Sequence, residues 1–169
     1  MIAARIALWI ILQALIVNGL QVFGGAAAPQ LHLFPLLLIP LQSNRFVWLG
    51  GLAAGGLALD IALGTYGLHF LAATILAICL PVIHRAFAPR EGYEVSDMGT
   101  VFGLGPRWVL LTSLFASWIY CTAVELISAS QFHLFGAATL RGLISAVTTA
   151  LMVVVLQFLL VRRPKRKRN

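Results

Sequence analysis

Charge is the scarcest property of this sequence, since only 10% of its 169 residues are charged and just 5 are acidic. Long polar faces are missing as well, because 60% of the residues are hydrophobic and the mean hydropathy is +0.95. Whole windows near the bilayer-spanning length carry no charge, which excludes an ordinary soluble domain. The sequence therefore predicts an all-α integral membrane protein that forms a single unit.

Cysteine and catalytic motifs are also scarce. Cys79 and Cys121 lie inside apolar runs, with no CxxC pair and no histidine at metal-ligand spacing, so neither a disulfide framework nor a metal site is predicted. No Ser-His-Asp order, HExxH motif or phosphate loop accompanies them. No cofactor is expected, and the four histidines are predicted to be satisfied or interfacial side chains: His32, His69, His84 and His133.

Apolar runs and polar breaks divide residues 1–161 into six predicted spans, at about 5–23, 31–41, 46–63, 68–83, 108–127 and 137–161. The first resembles a signal peptide, but it is too long and Pro29 follows the candidate cleavage site directly, so we interpret it as uncleaved. The second is interrupted by Pro35 and Pro40 and is predicted to be broken or partly re-entrant. The segment from His84 to Arg107 is predicted to be a solvated connector.

Basic residues indicate the topology. The formal net charge of +7 is concentrated at the ends of apolar runs and in a basic tail at 162–169. If most of these residues share one side, Arg141 is alone on the other, and the positive-inside rule then predicts that both termini are cytoplasmic. The tail is typical of contact with anionic membrane lipids, so nucleic-acid binding is not predicted.

Three charged residues are predicted to lie inside the outer half of the membrane: Asp60, Glu125 and Arg141. An unpaired buried ion is strongly destabilising, so our hypothesis is that Arg141 neutralises Asp60, Glu125 or both. Polar seams with four-residue spacing favour close contact between the helices that carry these charges: Ser113 and Ser117 before Glu125, and Ser145 and Thr149 after Arg141.

Glycines crowd the third predicted span and the turn that follows it. Gly56 and Gly64 share one helix face with Asp60, whereas Gly51 and Gly55 form a GxxxG pair on a neighbouring face. Since glycine lets backbones approach closely, all of these residues are expected to serve helix packing or a partner groove, together with Gly67 in the turn.

The stretch Gly56-Leu57-Ala58-Leu59-Asp60, followed through Gly64 by Gly67-Leu68-His69-Phe70-Leu71, resembles the junction of the third and fourth spans in the MreD family. These are small rod shape-determining membrane proteins of bacteria. The chain length, the six-span layout and the basic tail are similar too. The resemblance implies six helices around an outward cavity, similar to the substrate-binding component of energy-coupling-factor transporters.

The resemblance also implies a non-enzymatic scaffold of the cell-elongation machinery, in the bacterial cytoplasmic (inner) membrane. Such a protein binds MreC and works indirectly with the MreB filament, RodA and a penicillin-binding transpeptidase. The Gly51 and Gly55 side of the third span is the predicted groove for the MreC helix. Three alternatives stay open: a small-solute-binding transporter component, a lipid-headgroup-binding membrane protein, and a membrane enzyme acting on lipid-linked substrates.

Overall fold

The structure is a computed structural model, and it describes residues 8–13, 28–36, 41, 43–93, 99–129 and 135–161. Within these ranges all the regular secondary structure is helical. The helices are α1, described at residues 8–12, α2 (Leu33–Leu36), α3 (Arg45–Leu63), α4 (Leu68–Ala86), α5 (Pro106–Ala129) and α6 (Phe135–Leu160). The predicted all-α fold class is confirmed.

Helices α3 to α6 are long and apolar enough to cross a membrane. The shortest have 19 residues, and at about 1.5 Å per residue they match a hydrocarbon core of about 30 Å. Many of their large apolar side chains point outward, Ile61, Val82 and Leu159 among them, as lipid contact requires. The chain is a multi-pass membrane protein.

The four long helices correspond to the spans predicted at about 46–63, 68–83, 108–127 and 137–161. Most of the predicted first span lies outside the described residues, as do 37–40 of the second span and the tail at 162–169. What is described of the second span is a turn followed by the four-residue helix α2. Because residues 37–40 lie outside the described ranges, the broken second span stays a prediction.

Consecutive helices pack against one another, α3 on α4, α4 on α5 and α5 on α6. Small residues permit the contact between α5 and α6. A Cβ atom on Gly142 would lie 2.6 Å from Thr122 Oγ1 and 2.8 Å from its backbone nitrogen, distances that real Cβ atoms do not adopt. Gly142 therefore sets the spacing of these two helices, a role that the sequence analysis missed.

Residues 28–31 form a non-helical segment that is held by side chains from two helices. The Gln13 amide donates to the Pro29 carbonyl at 3.0 Å and accepts from the Leu31 N–H at 2.7 Å. On α6, Ser145 Oγ accepts from the Ala28 N–H at 3.1 Å and Thr149 Oγ1 from the Gln30 N–H at 2.9 Å. Irregular backbone at membrane depth needs internal partners of this kind.

A second glutamine holds part of the predicted connector. Gln157 on α6 is fully buried; its Oε1 accepts from the Val101 N–H at 2.7 Å and its Nε2 donates to the Gly99 carbonyl at 2.9 Å. Gly99 and Val101 are themselves buried. The prediction of a simply solvated connector is therefore wrong for residues 99–101, because Gln157 satisfies their backbone inside the protein. Residues 94–98 lie outside the described ranges.

Candidate functional site

The turn that joins α3 to α4 depends on two glycines. Gly64 ends α3 in the left-handed conformation, with φ 69°, and its N–H donates to the Asp60 carbonyl at 2.8 Å. Gly67 precedes α4 with φ 91°. Only glycine adopts these values without strain. As the N-cap residue, however, Gly67 has no side chain to accept the free N–H groups of the first turn of α4.

Asp60 supplies the missing cap from the neighbouring helix. Its Oδ1 accepts from the His69 N–H at 2.9 Å and its Oδ2 from the Phe70 N–H at 2.8 Å. Thr65 Oγ1 donates to Oδ1 as well. A carboxylate at a helix N-terminus also interacts favourably with the helix dipole. The three donors explain how an acid that is only 5% exposed is stabilised inside the protein.

Gly56 makes this reach possible. A Cβ atom on Gly56 would lie 2.5 Å from the His69 carbonyl oxygen and 2.9 Å from Phe70 Cα. Any larger residue would push the start of α4 away from α3 and so away from the Asp60 carboxylate. Gly56 and Asp60 do share one face, as their spacing predicts, and that face receives the first turn of α4. The prediction is wrong for Gly64, because α3 ends at Leu63 and Gly64 belongs to the exposed turn.

The hypothesis that Arg141 neutralises Asp60 is wrong in the described part of the chain. The Asp60 carboxylate is bonded to the α3–α4 hairpin itself, whereas Arg141 is exposed on α6, which is not a principal packing neighbour of α3. The physical reason is that backbone N–H donors at a helix start stabilise a carboxylate without a cation. Glu125 is half-buried on α5, one turn from Thr122, and within the described ranges it forms no ion pair with Arg141.

The polar seams have different partners from those expected. Ser145 and Thr149 bind the backbone of the 28–31 segment, as described above, and do not bridge two long helices. Ser113 Oγ donates to the Val109 carbonyl of its own helix at 2.6 Å. Ser117 is fully buried, and its hydroxyl has no hydrogen-bond partner among the described residues.

Three aromatic side chains form a buried cluster beside the Asp60 cap. His69 Nδ1 lies 2.8 Å from Tyr120 Oη, and the two rings are stacked at 6.2 Å between centroids. The His32 ring lies 5.2 Å from the Tyr120 ring and 6.3 Å from the His69 ring. The cluster joins the segment before α2 to α4 and α5. His69 is thus a satisfied histidine, as predicted, but it is not isolated.

His32 is the exception in this cluster. It is 1% exposed, and within the described ranges neither of its ring nitrogens has a hydrogen-bond partner. An unpaired buried polar group costs about 1–3 kcal/mol, so its presence needs a reason. Tyr120 was not predicted from the sequence, although it lies one helical turn from Ser117, on the same face of α5 as the polar seam. His133 lies outside the described residues.

The chemistry of the site is that of a cap and a packed cluster. The Asp60 oxygens are occupied by donors of the hairpin. In the part of the chain that the structure describes, no group of three or more His, Cys, Asp or Glu side chains is placed to hold a metal ion. The arrangement therefore orders the hairpin, and His32 is the histidine of the cluster that has no hydrogen-bond partner among the described residues.

The predicted groove at Gly51 and Gly55 is not an open surface. Gly55 is buried within the chain and Gly51 is only partly exposed. The outward side of α3 instead presents Gly50 and Ala54, both exposed, and a Cβ on Gly50 would meet no described atom within 4 Å. Gly55 thus serves packing inside the protein.

Comparisons with protein-family models, with curated proteins and with solved structures found no match for this chain. The expected likeness to the transporter component therefore remains a prediction.

Proposed function

We propose that this protein is a non-catalytic membrane scaffold of the MreD type, which binds MreC and supports peptidoglycan synthesis and cell shape. Two things support the proposal. One is the sequence resemblance at the α3–α4 junction, and the other is the use that the fold makes of that junction. The glycines and the acid of the resembling stretch hold the hairpin together.

The main observation in support of the proposal is the cap that Asp60 forms on α4. A catalytic or transport carboxylate must be available to a substrate or an ion, whereas both Asp60 oxygens accept hydrogen bonds from the first turn of α4. An acid used in this way fixes the shape of a helix pair. A scaffold needs a fixed shape to present to its partner. In this proposal, the cap keeps the α3–α4 hairpin in the shape that the partner binds.

The outward face of α3 is the proposed contact for the single transmembrane helix of MreC. Gly50 and Ala54 are four residues apart, so they share a face, and both are exposed. In a membrane, small residues permit the close backbone approach that drives helix association. Gly51 lies partly exposed beside them, so the surface overlaps the groove predicted from the sequence.

The experiment is recovery of partners from bacterial membranes in mild detergent. We expect an MreC-like bitopic protein to copurify with the wild-type chain, and Gly50→Leu with Ala54→Leu to reduce its recovery several-fold. The matched control is Gly136→Leu with Ala137→Leu, an exposed pair at the start of α6. Copurification with paired ATPases, or turnover of a lipid-linked precursor by the purified protein, would reject the scaffold.

One observation favours the alternative of a small-solute-binding transporter component. His32 is buried with both ring nitrogens unpartnered among the described residues, as a ligand-binding side chain would be. Under that alternative, paired ATPases copurify with the wild-type chain in place of an MreC-like protein, and His32→Phe abolishes binding of the solute. Under the scaffold proposal, the same variant retains both its fold and its partner.

A further inference from the structure

A second feature lies at the opposite end of the α3–α4 hairpin from Asp60. A cavity of about 220 Å³ opens there, far larger than the roughly 10–15 Å³ that one water molecule needs. Its walls come from the start of α3, the end of α4 and the segments before and after them. The lining residues are Leu41, Ser43, Arg45, Trp48, Leu80, Pro81, His84, Arg85 and Tyr93.

The polar side of this cavity is basic. Arg45 is the first residue of α3 and Arg85 lies in the last turn of α4, so the antiparallel hairpin brings both to one mouth. No acidic side chain is among the described residues that line it. The N-terminus of α3 adds a partial positive charge, and Ser43 adds a hydroxyl donor. The mouth is therefore suited to an anion.

The other side of the cavity is apolar and firmly built. Trp48 is 5% exposed and Leu80 is 1% exposed, so both belong to the core. Tyr93 is fixed in the wall, because its hydroxyl donates to the His84 carbonyl at 2.6 Å and accepts from Trp108 Nε1 at 3.2 Å. A preformed wall costs little ordering entropy when a ligand binds.

We propose that this pocket binds the phosphate headgroup of an anionic phospholipid. The two guanidinium groups provide planar donor sets that match phosphate oxygens, and the apolar wall provides a surface for the glycerol and upper acyl region. The location supports the lipid as the source of the phosphate, since both helices are spans and the pocket lies where they end. Basic pockets between membrane helices are a recurrent form of headgroup site. The inference is independent of the scaffold proposal.

The test measures lipid retention by native mass spectrometry of the full-length protein in detergent micelles that contain equal amounts of phosphatidylglycerol and phosphatidylcholine. We expect the wild type to retain phosphatidylglycerol preferentially. Each arginine near an anionic headgroup contributes about fivefold, so Arg45→Gln with Arg85→Gln should lower the preference by about 25-fold. If the double variant does not fold, each single variant should still show about a fivefold loss.

The matched control is Arg90→Gln with Arg107→Gln, which removes the same charge from two exposed arginines that do not line the pocket. It should keep the preference. An equal loss in this control would overturn the proposal, because the preference would then come from general charge. Addition of inorganic phosphate to micelles of phosphatidylcholine alone separates the two sources. Arginine-dependent thermal stabilisation by phosphate, with no preference for phosphatidylglycerol, would assign the pocket to a soluble phosphate and reject the lipid.

Discussion

Replacement of Asp60 tests whether its carboxylate is a helix cap or one half of an ion pair. Asp60→Ala removes the acceptor of the His69 and Phe70 N–H groups and of the Thr65 hydroxyl. Thr65 is half-buried and can turn towards other acceptors. The main loss is therefore two backbone donors left unsatisfied at the start of α4.

The magnitude follows from those two donors. Each unsatisfied buried donor costs about 1–3 kcal/mol, and the desolvation penalty of the carboxylate, which disappears with it, offsets part of the sum. We expect Asp60→Ala to lower the free energy of unfolding by about 2–4 kcal/mol. Asp60→Asn keeps one carbonyl acceptor but turns an NH₂ group towards the other donors, so its loss should be about 1–3 kcal/mol.

The assay is reversible unfolding of the purified protein in mixed micelles, followed by helical circular dichroism as the fraction of denaturing detergent increases. Arg141→Leu is the decisive comparison. Because Arg141 is exposed and is not bonded to Asp60, its loss should change the stability by less than about 0.5 kcal/mol. If Arg141→Leu instead matches Asp60→Ala, and the double variant is no worse than either single variant, the two side chains are coupled and the cap interpretation is refuted.

Three further substitutions test the rest of the fold in the same unfolding assay. Gly142→Ala should cost about 1–3 kcal/mol, since its Cβ would collide with the Thr122 backbone. Gly136→Ala should be neutral or stabilising, because a Cβ there would have no described atom within 4 Å. Gln157→Leu should cost about 2–4 kcal/mol because the Val101 N–H and the Gly99 carbonyl lose their partner. His32→Phe should be neutral or stabilising, as it removes two buried nitrogens that have no partner in the described ranges. A large loss of stability would show that His32 has a hydrogen-bond partner outside those ranges.

The long helices were predictable because an apolar run of spanning length has few other structures available in a membrane. The face shared by Gly56 and Asp60 was predictable too, since a four-residue spacing repeats one helix face. The partner of Asp60 was predicted wrongly, because the ion pair with Arg141 was inferred from the similar depth of the two residues in the membrane. Two side chains at the same depth can still lie on helices that are not neighbours, so depth alone does not predict a contact. The signal that was available was Gly67, an N-cap residue with no side chain.

The two glutamines illustrate a different limit. Periodicity identifies helices, but it carries no information on which irregular segment a helix will hold. Gln157 is the single amide of its apolar run, and Gln13 shares its run with Asn18 and Gln21. Gln13 and Gln157 each bind both a donor and an acceptor of non-helical backbone. A side-chain amide can do this because it offers the same pair of groups as a peptide unit. The sequence does not indicate which backbone segment each glutamine will bind.

What the buried polar side chains bind distinguishes the scaffold from its alternatives better than how many such side chains there are. In the described ranges, Gln13, Asp60 and Gln157 each hold backbone that the helical ladder leaves open. Groups engaged in this way are not available to a solute, because a ligand that displaced them would leave buried backbone unpaired. His32, in the buried cluster beside the Asp60 cap, is different, because its ring nitrogens have no partner among the described residues. Among the described residues, a transported or reacting molecule inside this bundle would have to be recognised at His32 or at another buried polar atom without a partner, such as the Ser117 or Thr112 hydroxyl. A partner helix, in contrast, needs only the outer faces of the bundle, whose shape the engaged groups hold constant.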